Sequence, residues 1–130
     1  MNNLNSVLLE GNLVRDPQSK TTTNGAMVTK ITLACNRYYQ SEGEDGWIQE
    51  VSYFDIEAWG RLAEKINSLG KKGRGARIVG RLKQDRWTDD NGNNRSKIYV
   101  VAEHAEFRPE KPNEAQNNDE PTEQTVEETV

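Results

Sequence analysis

At 130 residues the chain is long enough for one domain around a single core, and its length argues against two. From Glu110 to Val130 the only apolar side chains are Ala115, Val126 and Val130, so no core can be buried there and residues 109–130 are expected to form a disordered acidic tail. Charge divides at the same place: residues 1–108 hold 16 Lys and Arg against 14 Asp and Glu, a net of +2, whereas 109–130 hold 1 against 7, a net of −6.

Taken in chain order, the first predicted element is a strand from Leu4 to Val14, with a glycine bulge at Gly11-Asn12. Asp16-Pro17 predicts a turn, and Asn24-Gly25 a hairpin leading into a second strand, Met27 to Tyr39, where Ile31, Leu33 and Cys35 alternate with polar or small residues. After a polar loop from Gln40 to Gly46 comes a third strand, Trp47 to Trp59. Its alternation puts Tyr53, Asp55, Glu57 and Trp59 on one face and Phe54, Ile56 and Ala58 on the other. Leu62, Ala63, Ile66 and Leu69 recur at helical spacing, which predicts a short helix over 61–69 with Gly70 as its C-terminal cap. Ala76 to Trp87 and Ser96 to Phe107 read as two more strands joined by a turn at Asp89-Asp90-Asn91-Gly92. Three strands, a helix and a two-strand hairpin make an all-β chain with the element order of a five-stranded OB barrel over residues 1–108.

Little in the sequence suggests catalysis. One Cys and one His cannot make a closed zinc site, no phosphate-binding Gly-Lys-Ser/Thr loop occurs, and Cys35 and His104 lie far apart in strand-like segments, where packing roles are expected. The Asp89–Asn94 run lacks the glycine position and closing Glu of a calcium loop, and Gly70-Lys71-Lys72-Gly73 precedes a strand rather than joining two helices, unlike a KH loop. No enzyme activity, cofactor or metal is therefore expected. With no signal peptide and no apolar run long enough for a membrane span, a cytoplasmic, nucleoid-associated location is.

The informative stretch runs from Lys71 to Trp87, where Lys71, Lys72, Arg74, Arg77, Arg81, Lys83 and Arg86 face only one acid, Asp85. Such a run can track the phosphates of a single strand. It keeps company with aromatics in polar settings: Tyr38 and Tyr39 before a loop, Tyr53 and Trp59 among carboxylates, Trp87 beside Arg86. A ring flanked by same-face charges is more cheaply exposed than buried, and exposed rings stack on any unpaired base.

The segments Leu9-Glu10-Gly11-Asn12-Leu13, Asp16-Pro17, Asn24-Gly25, Ile31-Thr32-Leu33-Ala34, Trp59-Gly60-Arg61-Leu62-Ala63-Glu64, Val79-Gly80-Arg81-Leu82 and Arg86-Trp87-Thr88-Asp89 resemble, in order and spacing, the bacterial-type single-stranded DNA-binding proteins over residues 4 to about 107. The resemblance implies an OB fold, a homotetramer and sequence-independent binding of single-stranded DNA in replication, recombination and repair. It puts the stacking aromatics at Tyr39, Tyr53, Trp59 and Trp87. Arg61, Lys71, Lys72, Arg74, Arg81, Lys83 and Arg86 are the expected phosphate contacts. Three features depart from the pattern. Asp55 and Glu57 stand where basic or apolar residues are usual, the loop Ser41–Gly46 is acidic, and the terminus Glu127-Glu128-Thr129-Val130 lacks the bulky apolar tip through which relatives recruit replication and repair proteins. A competing expectation is therefore an OB protein-interaction adaptor with weak nucleic-acid binding, and the position of Asp55 and Glu57 relative to the rings separates the two.

Overall fold

A computed structural model describes residues 1–43 and 46–110. The elements are β1 (Val7–Leu13), β2 (Gln18–Thr21), β3 (Met27–Tyr39), β4 (Ile48–Trp59), α1 (Gly60–Leu69), β5 (Gly75–Thr88) and β6 (Asn94–Phe107). The strands form one sheet in the order β1-β5-β6-β4-β3-β2, and β1 also pairs with β3, so five strands close into an OB barrel with β2 outside the ring. β4 and β6 run parallel at Ile56↔Val100 and Glu57↔Val101; the other pairings are antiparallel. The expected tail lies, from Lys111 onward, outside the described residues.

The core follows from the alternation. Leu13, Ile31, Leu33, Ile56, Ile78 and Val100 point inward from five strands, and Ala63 and Ile66 of α1 join them. Each fully buried Val, Leu or Ile contributes roughly 1.5–3 kcal/mol of apolar transfer. One buried polar side chain, Thr29, is satisfied: its hydroxyl donates to the Ala63 carbonyl at 2.9 Å and shares a 2.7 Å bond with Ser19. Ser19 Oγ also lies 2.8 Å from the Asn67 side-chain amide, so β2 ties α1 to β3.

Two glycines shape the closure. At Gly11 a Cβ would fall on the Ala34 carbonyl oxygen, and this is where β1 passes from β5 (Gly11↔Ala76, Asn12↔Gly75) to β3 (Asn12↔Ala34, Leu13↔Leu33). Gly11 thus serves a close approach of two backbones. The register irregularity sits instead at Val79/Gly80 against β6, where a Cβ on Gly80 would strike the Val101 carbonyl. Gly70 caps α1 by donating its N–H to the Ile66 carbonyl at 2.8 Å, in an extended rather than left-handed conformation (φ −81°). The need there is for space, since a Cβ would crowd Pro17 and Leu13.

Beyond Gly80, β5 and β6 continue as a two-stranded ribbon: Arg81 to Thr88 are all exposed, and β6 meets β4 only at Val100 and Val101. The predicted turn closes the ribbon. Asp89 Oδ1 accepts from the Asn91 and Asn93 amides, each at 2.9 Å, and Gly92 takes φ +83°. No helix among the described residues is long and apolar enough to cross a membrane.

Candidate nucleic-acid interface

Residues opposite each other in an antiparallel pair project to the same side. On β4, Tyr53, Asp55 and Glu57 therefore share a face with Ala34, Thr32 and Lys30 of β3, while Arg81, Lys83, Asp85 and Trp87 of β5 share one with Val101, Tyr99, Lys97 and Arg95 of β6. Side-chain contacts join the two halves. Lys97 Nζ lies 3.5 Å from Asp55 Oδ2, and a groove of about 270 Å³ is lined from both sides, by Lys30, Asp55 and Glu57 and by Asp85, Lys97 and Tyr99. The result is one continuous outer face, with Trp59 at the end of β4 and Trp87 near the tip of the ribbon.

The rings are open to water. Tyr53 is 65% exposed, Trp87 49% and Trp59 47%, although Trp59 also stands opposite the buried Val28. Tyr39 sits differently: it is half-buried, with the Arg37 guanidinium 4.8 Å from its ring centre, and its register against Ile48 turns it to the opposite side of the β3–β4 pair from Tyr53. Tyr38, 58% exposed, takes the Tyr53 side instead. Trp47, just before β4, is also exposed and was not singled out by sequence pattern. Strand parity could have favoured Tyr38 over Tyr39, but the pairing register that fixes it belongs to the fold.

The cations divide. Arg81 and Lys83 lie on the face of Trp87, whereas Arg86 projects to the reverse of the ribbon. Lys71 and Lys72 occupy the exposed loop after α1, Lys71 pairing with Glu110 at 2.6 Å, and Arg61 is exposed on α1. Arg74 is engaged in the scaffold: Nη1 donates to the Leu69 carbonyl at 2.7 Å, Nε donates to the Arg108 carbonyl at 3.0 Å, and the guanidinium lies 5.3 Å from the Phe107 ring centre. The face gains four cations outside the Lys71–Trp87 run: Arg15, Lys30, Arg95 and Lys97. Several are ion-paired, Arg81 with Glu103 at 3.1 Å, Lys83 with Asp85 at 3.9 Å and Arg95 with Asp89 at 2.8 Å. The first two are exposed pairs, worth about 0–1 kcal/mol, so a phosphate can displace the carboxylate at small cost, whereas Asp89 is part-buried in its turn.

Asp55 and Glu57 occupy the two positions between the Tyr53 and Trp59 rings. Asp55 is compensated on both oxygens, accepting from Thr32 Oγ1 at 3.0 Å and facing Lys97. Tyr99 donates its hydroxyl to Asp85 at 3.0 Å. Burial, then the Asp85 bond and the Glu57 charge, push its pKa up to about 12, so the phenol keeps its proton. Burial also raises the Cys35 thiol, the expected packing behaviour. His104 departs from that expectation: it lies on the surface, 3.1 Å from Glu106, because the strand alternation after the irregularity turns it outward.

The single-strand binding protein family matches residues 4–108, from before β1 to just past β6. The single-stranded DNA-binding protein of Treponema pallidum is 39% identical over 78% of this chain, and that of Wolinella succinogenes 41% identical over 76%. The chain spans 56% and 60% of those two relatives' own lengths. Among solved structures, a Plasmodium falciparum SSB complexed with ssDNA superposes with a TM-score of 0.75 at 18% identity, covering 84% of this chain and 98% of that one, a likeness of fold. Since the match takes in every strand of the barrel, the chain belongs to the single-strand binding protein family.

Proposed function

We propose that residues 1–108 bind single-stranded DNA without a sequence requirement, by stacking bases on Tyr53, Trp59 and Trp87 and pairing phosphates with the surrounding Lys and Arg. The observation that carries this is the set of three rings, each roughly half or more exposed, on one cation-bearing face. Tyr39 joins the path where it leaves the β3–β4 end, and Arg61, Lys71, Lys72 and Arg86 extend the phosphate track around the barrel. Arg74 supports the loop that carries Lys71 and Lys72. The reading requires no bond-making chemistry and no cofactor. It is consistent with a cytoplasmic, nucleoid-associated protein serving replication, recombination and repair.

Leu8 is 74% exposed and pairs across the strands with half-buried Val79, an apolar patch on the outer side of β1 and β5 that supports assembly into a homotetramer. In this reading the net −6 of residues 109–130 stands apart from the DNA-binding unit. The adaptor reading draws on one observation, the carboxylates between the rings, which the pairing of Asp55 with Lys97 and Thr32 offsets. Titrating oligo(dT) at low salt should quench tryptophan fluorescence strongly, and solution mass with and without the oligonucleotide should report a tetramer. Absence of quenching would favour the adaptor.

A further inference from the structure

The groove lined by Asp55 and Glu57, the two outward residues between Tyr53 and Trp59 along β4, has an uneven chemistry. Asp55 has a partner on each oxygen, Thr32 and Lys97. Asp85 is similarly occupied, by the Tyr99 hydroxyl at 3.0 Å and by Lys83 at 3.9 Å. Glu57 is also within hydrogen-bond reach of this phenol, but a phenol has one proton and shares it chiefly with Asp85, so it takes up little of the Glu57 carboxylate. A carboxylate can accept about four hydrogen bonds, so Glu57 keeps acceptor capacity and presents it in the groove wall. It lies two residues from Trp59, roughly 7 Å along the strand, within reach of the edge of a base stacked on that ring. The groove's volume of about 270 Å³ is close to the lower end of small-molecule sites, roughly 300–1,000 Å³, and suits a flat ring.

We infer that Glu57 makes this groove a base-discriminating subsite, favouring bases that present an amino group over those that present a carbonyl at the same position. The inference rests on the reading that this face binds single strands. An unpaired base exposes its Watson–Crick edge. Cytosine offers its N4 amino group to a carboxylate, the pairing Glu and Asp make with cytosine in duplex recognition. Uracil differs at that position by a carbonyl oxygen, which a carboxylate repels, while its stacking surface is nearly the same. Phosphate contacts and stacking supply general affinity, and Glu57 adds a preference on top of it.

The test compares binding of equal-length oligo(dC) and oligo(dU) to the full chain by tryptophan quenching, for the unaltered protein and for Glu57→Gln. The unaltered protein should bind oligo(dC) about fivefold tighter, at the lower end of what one such contact discriminates. Glu57→Gln, isosteric and able to donate to a carbonyl, should bring the two within about twofold, chiefly by tightening oligo(dU). Equal affinities in the unaltered protein, or a preference that survives Glu57→Gln, overturns the inference while leaving single-strand binding intact. Failure of both oligomers to quench overturns the underlying reading as well.

Discussion

Trp87 stands near the tip of a ribbon wet on both faces, with half its surface exposed and no core to support. Trp87→Ala should therefore weaken DNA binding by roughly 1–3 kcal/mol with little dependence on base, leaving the unfolding transition in place. Parallel oligo(dT) titrations and thermal melts check both halves, and an unchanged affinity would remove Trp87 from the DNA path. Trp59 differs, since it faces buried Val28 across the strand pair, so Trp59→Ala should cost stability as well as affinity. Lys72 holds the fold through its backbone, whose amide donates to Asp16 Oδ1 at 2.8 Å, and its side chain is available for phosphate. Lys72→Ala should lower the magnitude of the slope of log affinity against log salt by about 0.7 if it meets one phosphate. Side-chain direction was legible in β4, where alternation reaches buried Ile56 and Ala58 on one side and charges on the other. Along the exposed end of β5 the same alternation separates Lys83 from Arg86, but which side joins the β4 face depends on the pairing with β6.

Among the elements, β1 carries the closure of the barrel. Gly11→Ala would drive a methyl group into the Ala34 carbonyl, and a backbone atom in a paired strand cannot swing aside as a side chain can. A loss of roughly 1–3 kcal/mol or more is expected, read as a lower denaturant midpoint. Glu10 of the same strand accepts from Arg108 at 2.8 Å and from Arg77 at 3.3 Å, joining β1 to β5 and to the chain leaving β6. Arg108 first, then Arg77, hold its carboxyl below the ordinary glutamate value. A depressed carboxyl stabilises the fold fully above its unfolded pKa and loses that contribution as pH falls through the lower, folded one. Acid unfolding should accordingly shift less between neutral pH and the acid range in Glu10→Gln, measured by melts across pH. The strands that build the core were visible from their apolar spacing, and so was the helix. β2 was not: Gln18-Ser19-Lys20-Thr21 has no apolar residue and all four are exposed, so its existence depends on pairing with β3 and on Ser19 reaching Thr29 and Asn67. The closing contacts of β1 with β3, at Asn12 and Leu13, likewise leave no local pattern.

For the molecule as a whole, charge partition gives the clearest expectation. Removing residues 110–130 should leave the melting temperature unchanged and tighten DNA binding, because it deletes a net −6 and releases Lys71 from Glu110. Weaker binding by the shortened chain would contradict this. The division between a basic unit and an acidic end was readable from residue counts alone, whereas the single outer face was not. That face unites β4 with β5 through β6, and the joining residues, Lys97, Tyr99 and Lys30, are scattered among segments of no particular composition.

The strand that closes the ring is also the first to be synthesised. Val7 to Asn12 find their β5 partners, Gly75 to Gly80, only after about seventy intervening residues have emerged. Until then β1 can pair only at its Asn12–Leu13 end, with β3, and its ladder with β5 closes at a large cost in loop entropy. Folding is consequently dominated by distant pairings, the regime of milliseconds to seconds rather than microseconds. A nascent chain halted before Gly75 would display an unclosed sheet to chaperones and proteases.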